Sequence, residues 1–219
     1  MPEQNFVPAL GKSELTFSYD KVIALMTREK RWRPLVVKTL APRADECVVD
    51  IGSGTGSQAI LLKRSEPGLR IIGVDPDPDI LTIARAKADK AQVNIDWRQG
   101  MGDEAARIAG LGIADAVVSS LVLHQCPVEM KSGILAAAYD VLKPGGRLVI
   151  ADYGLQRTFL MRTLFRQVQA VDGHEYTQPN ADGILNELIP RAGFAEFEER
   201  HVIPTNTGSI SIYRAMKPV

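Results

Sequence analysis

From Glu46 onward, short runs of apolar and β-branched residues alternate with longer stretches whose apolar positions recur at helical spacing. "CVVDIG" is followed by "SQAILLKRSEP", "LRIIGVD" by "PDILTIARAKADKA", and "VNIDWRQG" by "DEAARIAGL". "ADAVVSSLVLH" then leads to "VEMKSGILAAAYDVL", and "GRLVIADYG" to "LQRTFLMRTLFRQVQAV". Five strand–helix units in succession predict an α/β fold, a doubly wound and mostly parallel sheet with helices on both faces. The alternation stops near the end. "AEFEERHVIP" and "GSISIYRAMK" both read as strands, separated by "TNT" with Gly208 available to relieve the turn, so an antiparallel hairpin is expected at the sheet edge. Before Glu46, "YDKVIALMTREKRWRPLVVKTLA" predicts one or two helices, with Pro34 at the start of the second, where its missing N–H costs nothing.

Composition narrows the class without changing this picture. At 219 residues, 45% hydrophobic and 24% charged, the chain suits one soluble domain with a full core. Lys+Arg and Asp+Glu both total 26, so no net field draws in nucleic acid or an anionic membrane. Cys47 and Cys126 lie far apart with no metal-type spacing, which predicts neither a disulfide framework nor a zinc site. No stretch has the apolar core of a signal peptide or membrane-spanning length, and the expected location is cytoplasmic.

Candidate chemistry concentrates after the first predicted strand, in "DIGSGTGS". Ligands of open parallel sheets bind beyond the carboxyl ends of the strands, and glycines at 52, 54 and 56 let the backbone turn and approach one closely. A phosphate-cradling loop would end in Lys-Ser or Lys-Thr, whereas Gly56 is followed by Ser57 and Gln58. The dinucleotide fingerprint would want glycine at Ser57, which weakens that reading without removing it. Asp75 closes the second strand, where an acid can accept from both hydroxyls of a ribose, a device shared by dinucleotide and methyl-donor sites.

"VVDIGSGTGSQAI", "GVDPDPDIL", "DAVVSSLVLHQ" and "VLKPGGRLVIADY" occur in this order and spacing. Together they resemble the successive motifs of the class I S-adenosylmethionine-dependent methyltransferases, strongly over residues 45–153. The resemblance implies a Rossmann-like, seven-stranded sheet whose last strand is antiparallel. It implies S-adenosyl-L-methionine as methyl donor and S-adenosyl-L-homocysteine as product. By the same resemblance, Gly52, Ser53 and Gly54 would meet the methionine moiety, and Asp50 would lie beneath them, orienting the turn and the donor's ammonium. Asp75 would take the ribose, and Pro76 would pack on the adenine side. After Gly100 the family usually carries an acid or amide for the adenine amino group. Here Met101 stands there, so either Asp103 reaches the ring from a longer loop or Met101 stacks on it. Ser119 and Ser120 would border the donor on the acceptor side. "SSLVLHQ" in place of an Asp/Asn-Pro-Pro-Tyr motif argues against methylation of DNA bases. "YDKVIALMTREKRWR" faintly resembles the entry helix of the ubiquinone/menaquinone C-methyltransferases. That likeness implies lid helices over residues 1–44 with Tyr19 and Trp32 as donor contacts, and a donor-binding domain over 45–219 with a cap at about 155–192. The quinone acceptor is not implied, because Ile23, Ala24 and "LVLHQ" depart from that family's pattern.

The expected reaction is transfer of the sulfonium methyl to a small-molecule acceptor by in-line displacement, in which positioning counts for most. His124 is the candidate base, with packing as its alternative role. Asp152 and Tyr153 are candidates for orienting the acceptor. His174, Tyr176 and Gln178 fall in "DGHEYTQPNADG", which reads as a polar loop. In "LQRTFLMRTLFRQVQAV", apolar positions interleave with Arg157, Arg162 and Arg166. The stretch is expected to pack on the core with a basic outer face, to line an apolar pocket, or to meet an acidic substrate or membrane surface. The partner expected is a small molecule, with no nucleic acid and no stable membrane insertion; monomer and homodimer both remain open. The rival functions are a nicotinamide-dependent oxidoreductase and a non-catalytic donor-binding protein of the same fold.

Overall fold

The structure, a computed structural model, describes residues 26–219. The five apolar runs form strands β1 (Cys47–Ile51), β2 (Arg70–Asp75), β3 (Asp96–Gln99), β4 (Ala114–Ser120) and β5 (Leu142–Tyr153). The hairpin forms β6 (Ala195–Thr205) and β7 (Gly208–Met216), giving one seven-stranded sheet in the order β3-β2-β1-β4-β5-β7-β6. β1 pairs in parallel with both β2 and β4, while β7 runs antiparallel to β5 and β6. The chain order reverses between β1 and β4, so a crevice is expected at the carboxyl ends of those two strands. β1 is buried along its whole length, as a central strand covered on both faces must be.

Helices cover both faces. In chain order they are α1 (Glu29–Leu40), α2 (Ser57–Ser65), α3 (Pro78–Lys90), α4 (Ala105–Ala109), α5 (Val128–Val141), α6 (Phe159–Asp172), α7 (His174–Ala181) and α8 (Leu185–Arg191). One core gathers Ile51, Val117, Leu135, Leu148 and Leu188, and the other gathers Trp32, Val48, Ala59, Val149 and Phe165. Asp77 caps α3 by accepting from the N–H groups of Asp79 and Ile80, with Pro78 at the first helical position. Arg147 anchors α1 to the sheet: its Nε donates to the Leu40 carbonyl at 2.9 Å and its two Nη atoms meet both carboxylate oxygens of Glu46.

Two local expectations need correction. Pro34 lies inside α1 rather than at its start; Arg28, in the left-handed conformation at φ 55°, is the break that precedes this helix. The polar stretch around His174 is not a loop but α7, closed by a Thr177 hydroxyl that donates to the Gly173 carbonyl at 2.6 Å. Among the described residues, no helix is long and apolar enough to cross a membrane.

Candidate active site

The glycine turn bridges β1 and α2 at the sheet's carboxyl edge. Gly52 and Gly54 adopt φ 69° and 52°, values that glycine takes without penalty. A Cβ at Gly52 would fall 2.3 Å from Val122 Cγ2, so the loop after β4 sits directly on the turn. Beyond Gly54, by contrast, a Cβ would meet nothing within 4 Å. The open side of the crevice is therefore at Gly54, beside Asp75.

Asp75 ties the two strand ends together. Its Oδ2 accepts from Gly54 N–H at 2.8 Å and its Oδ1 from Asp77 N–H at 3.1 Å, while its own carbonyl accepts from Gly100 N–H. Burial pushes its carboxyl above the usual range, and these two amide bonds oppose the shift. A carboxylate has about four acceptor positions, so two remain for further hydroxyl donors. Pro76 is half-buried, its carbonyl held by the Gln99 amide at 3.2 Å. Met101 is half-buried and precedes a short 3-10 turn at Gly102–Glu104, in which Asp103 is exposed.

Beneath the turn lie buried polar atoms with no hydrogen-bond partner among the described residues. They are both carboxylate oxygens of Asp50, the hydroxyl of Ser53, both amide atoms of Gln58 and the indole nitrogen of Trp32. Leaving such a group unpaired costs about 1–3 kcal/mol, so a cluster of them beside a ligand-type turn marks a place for polar ligand atoms or water. Burial raises the Asp50 carboxyl to about 7; Arg33 pulls it down and Asp75 pushes it further up.

At the β4 end, the Ser119 hydroxyl donates to the Ile51 carbonyl at 2.8 Å, pinning the edges of the crevice, and Ser120 is only partly covered. The sequence thus brings Asp50, Gly52, Ser53, Gly54, Asp75, Pro76, Gly100, Met101, Ser119 and Ser120 to one edge of the sheet. Trp32 is wholly buried in the core on one face, and Tyr19 lies outside the described residues.

His124, Asp152 and Tyr153 do meet, but not as an open acceptor site. Asp152 is fully buried and accepts from four donors: the N–H groups of Val122 (3.0 Å), Leu123 (2.7 Å) and Tyr153 (2.7 Å), and His124 Nδ1 (2.7 Å). His124 Nε2 lies 3.4 Å from Asp172 of α6. Burial opposes charging the imidazole, but Asp152 and then Asp172 outweigh it and raise its pKa to about 9. Both ring nitrogens thus face carboxylates within the fold. Tyr153 is buried as well, its hydroxyl 2.7 Å from Thr207 Oγ1 and its ring edge-on to His124. Together these contacts form one buried network that ties the loop after β4 to the end of β5.

Sequence reasoning missed two members of this region. Lys131 is fully buried, donating to the carbonyls of Leu123 (2.6 Å) and Tyr176 (2.9 Å), and so fastens α5 to that loop and to α7. Burial pushes its pKa down to about 8, against the pull of Asp152 and Cys126. Its signal was available, since Lys131 stands three and four residues before Ile134 and Leu135 on an apolar stripe. Asp172 gave none, because its partner is 48 residues away.

The charged network predicts a pH dependence. His124 is protonated more readily in the folded protein, so its stabilisation is complete below the unfolded value near 6.5 and is lost as pH climbs through about 9. Lys131 shifts the opposite way and returns stability only above about 8. Unfolding free energy should fall by about 1–2 kcal/mol between pH 6.5 and 8. Urea titrations across that range should show this, with a shallower fall for His124→Gln. Equal slopes in the two proteins would refute the assignment.

Comparison with known proteins agrees with the geometry. Residues 48–146 match a family model described as a methyltransferase domain. Over 147 residues the chain is 33% identical to a demethylmenaquinone methyltransferase of Tropheryma whipplei, a match covering 65% of this chain and 57% of that relative. The chain thus spans little more than half the length of that curated relative. Among solved structures, an O-methyltransferase family protein from Burkholderia thailandensis superposes with TM-score 0.71 at 18% identity, over 94% of this chain and 63% of the other. A phosphoethanolamine N-methyltransferase of Haemonchus contortus, in complex with S-adenosyl-L-methionine, gives TM-score 0.66 at 18% identity, over 85% of this chain and 52% of the other. The sequence match is to a methyltransferase domain over residues 48–146, and the fold is that of the methyltransferase structures on which the chain superposes. Its seven strands include the antiparallel last one that the sequence resemblance implied.

Proposed function

We propose that the protein transfers the methyl group of S-adenosyl-L-methionine to a small-molecule acceptor. The observation that carries this reading is the set of unpaired buried polar atoms at Asp50, Ser53 and Gln58 beneath a glycine turn that is open at Gly54. A zwitterionic methionine moiety has the donors and acceptors such a set lacks. Asp75 retains acceptor capacity for ribose hydroxyls at the end of the neighbouring strand. When bound, the donor supplies a methyl carbon already activated by its sulfonium.

The protein's own contribution is then positional. Asp50 offers a negative charge to an ammonium, Asp75 fixes the nucleoside end, and the loop from Leu121 to Gln125 forms one wall of the crevice on Gly52. Holding two reactants in line accounts for several kcal/mol of barrier without proton transfer. With both His124 nitrogens engaged by carboxylates, the favoured acceptors are nucleophiles that need no early loss of a proton to this residue. The name of the Tropheryma whipplei relative supports trying demethylmenaquinone among the acceptors.

Calorimetric titration with S-adenosyl-L-methionine, S-adenosyl-L-homocysteine and NAD separates the rival readings. Both sulfur ligands should bind and NAD should not. Binding of NAD with no heat from either sulfur ligand would replace the methyltransferase reading by an oxidoreductase one. Donor binding without label transfer to any component of a cell extract would favour a non-catalytic protein.

A further inference from the structure

Away from the glycine turn, α6 and α7 enclose a groove of about 230 Å³. Its floor is the buried Phe165, and its walls carry Arg162 and Arg166 from α6 and His174 and Gln178 from α7. The two arginines are four residues apart on one helix face, where like charges repel and destabilise a helix. Among the described residues, neither has an acidic partner. Arg162 uses its Nε on the Gln156 carbonyl at 2.9 Å, and Arg166 bonds to no described residue. Asp182, the one carboxylate among the described residues that line the groove, accepts from the Gln178 amide at 2.9 Å. Gln178 in turn accepts from Gln169 at 2.8 Å, which holds the two helices together beside the opening. The His174 ring has no hydrogen-bond partner among the described residues.

We propose that this groove binds a small anionic molecule, a carboxylate or phosphate, with the guanidinium groups of Arg162 and Arg166 as its anchors and its apolar part against Phe165. Guanidinium matches both anions in a two-pronged geometry. The groove is smaller than the 300 Å³ or more of a typical drug-sized site, which limits the ligand to a few heavy atoms beyond the charged group. Nothing in this inference depends on the identity of the methyl donor, and the two can fail separately.

The test uses inorganic phosphate and benzoate as probes, with sodium chloride at matched ionic strength as the control. The protein has three histidines, so the ring signals of His174 can be followed by NMR against those of His201. Phosphate or benzoate should move the His174 signals saturably while His201 stays in place. Arg166→Gln, an exposed position whose fold is checked by circular dichroism, should weaken this binding roughly tenfold or more. Arg162→Gln provides a second, independent variant. The proposal is overturned if chloride produces the same shift, if neither probe binds, or if both variants bind as the parent does. Where phosphate competes with the methyl acceptor, the anion belongs to the acceptor; where it alters turnover without competing, it is an effector. Either result supports the site.

Discussion

Replacing Asp152 with alanine is expected to lower the unfolding free energy by about 3–5 kcal/mol. The carboxylate is fully buried and accepts four hydrogen bonds, three of them from backbone N–H groups at the end of β5 and in the loop after β4. Its removal leaves those amides without an acceptor and strips a charged, buried His124 of its nearer partner, and each loss is costly where water cannot enter. Asp152→Asn, which keeps the volume but turns one acceptor into a donor, should recover only part of the loss. A double-mutant cycle with His124→Gln, read by urea denaturation, isolates the ion pair. A loss below about 1 kcal/mol in Asp152→Ala would mean that the loop is held by other contacts.

Asp75→Ala should weaken binding of S-adenosyl-L-homocysteine on the order of a hundredfold, the loss of one or two charge-assisted hydrogen bonds from ribose hydroxyls. The same carboxylate also holds the Gly54 and Asp77 amides, so affinity must be measured at a temperature where both proteins are fully folded. Asp77→Ala is the matching control: it removes the α3 cap, lowers stability by about 1 kcal/mol, and should leave ligand affinity nearly unchanged. Equal affinity of Asp75→Ala and the parent protein would remove Asp75 from the ligand site.

The parallel sheet, its terminal hairpin and the position of the glycine turn were legible because each rests on local pattern. β-branched runs alternate with amphipathic stretches, and Gly208 adopts φ 112° where β6 turns into β7. The order of the strands was not in the pattern itself; the resemblance implied only their number and the antiparallel last strand. What local pattern missed was long-range electrostatics. His124 stands at the end of a strand, and nothing local announces that Asp152 and Asp172 face its two nitrogens. Tyr153 has the same profile as a cleft residue, yet its hydroxyl turns toward Thr207, 54 residues away. The helix from Phe159 fell between its alternatives: Phe165 and Val168 enter the core, whereas Phe159 and Leu160 are 83% and 66% exposed. Its apolar face is thus only partly used by the fold.

The contact between Val122 and Gly52 has a thermodynamic consequence. The loop carrying Val122 has little regular structure of its own and includes Leu121 in the left-handed region at φ 58°, a conformation with a cost for a bulky side chain. It is kept in place by buried charge, through Asp152 on one side and Lys131 on the other. The crevice wall is therefore ordered before any ligand arrives, and the entropy of fixing it is charged to folding instead of to binding.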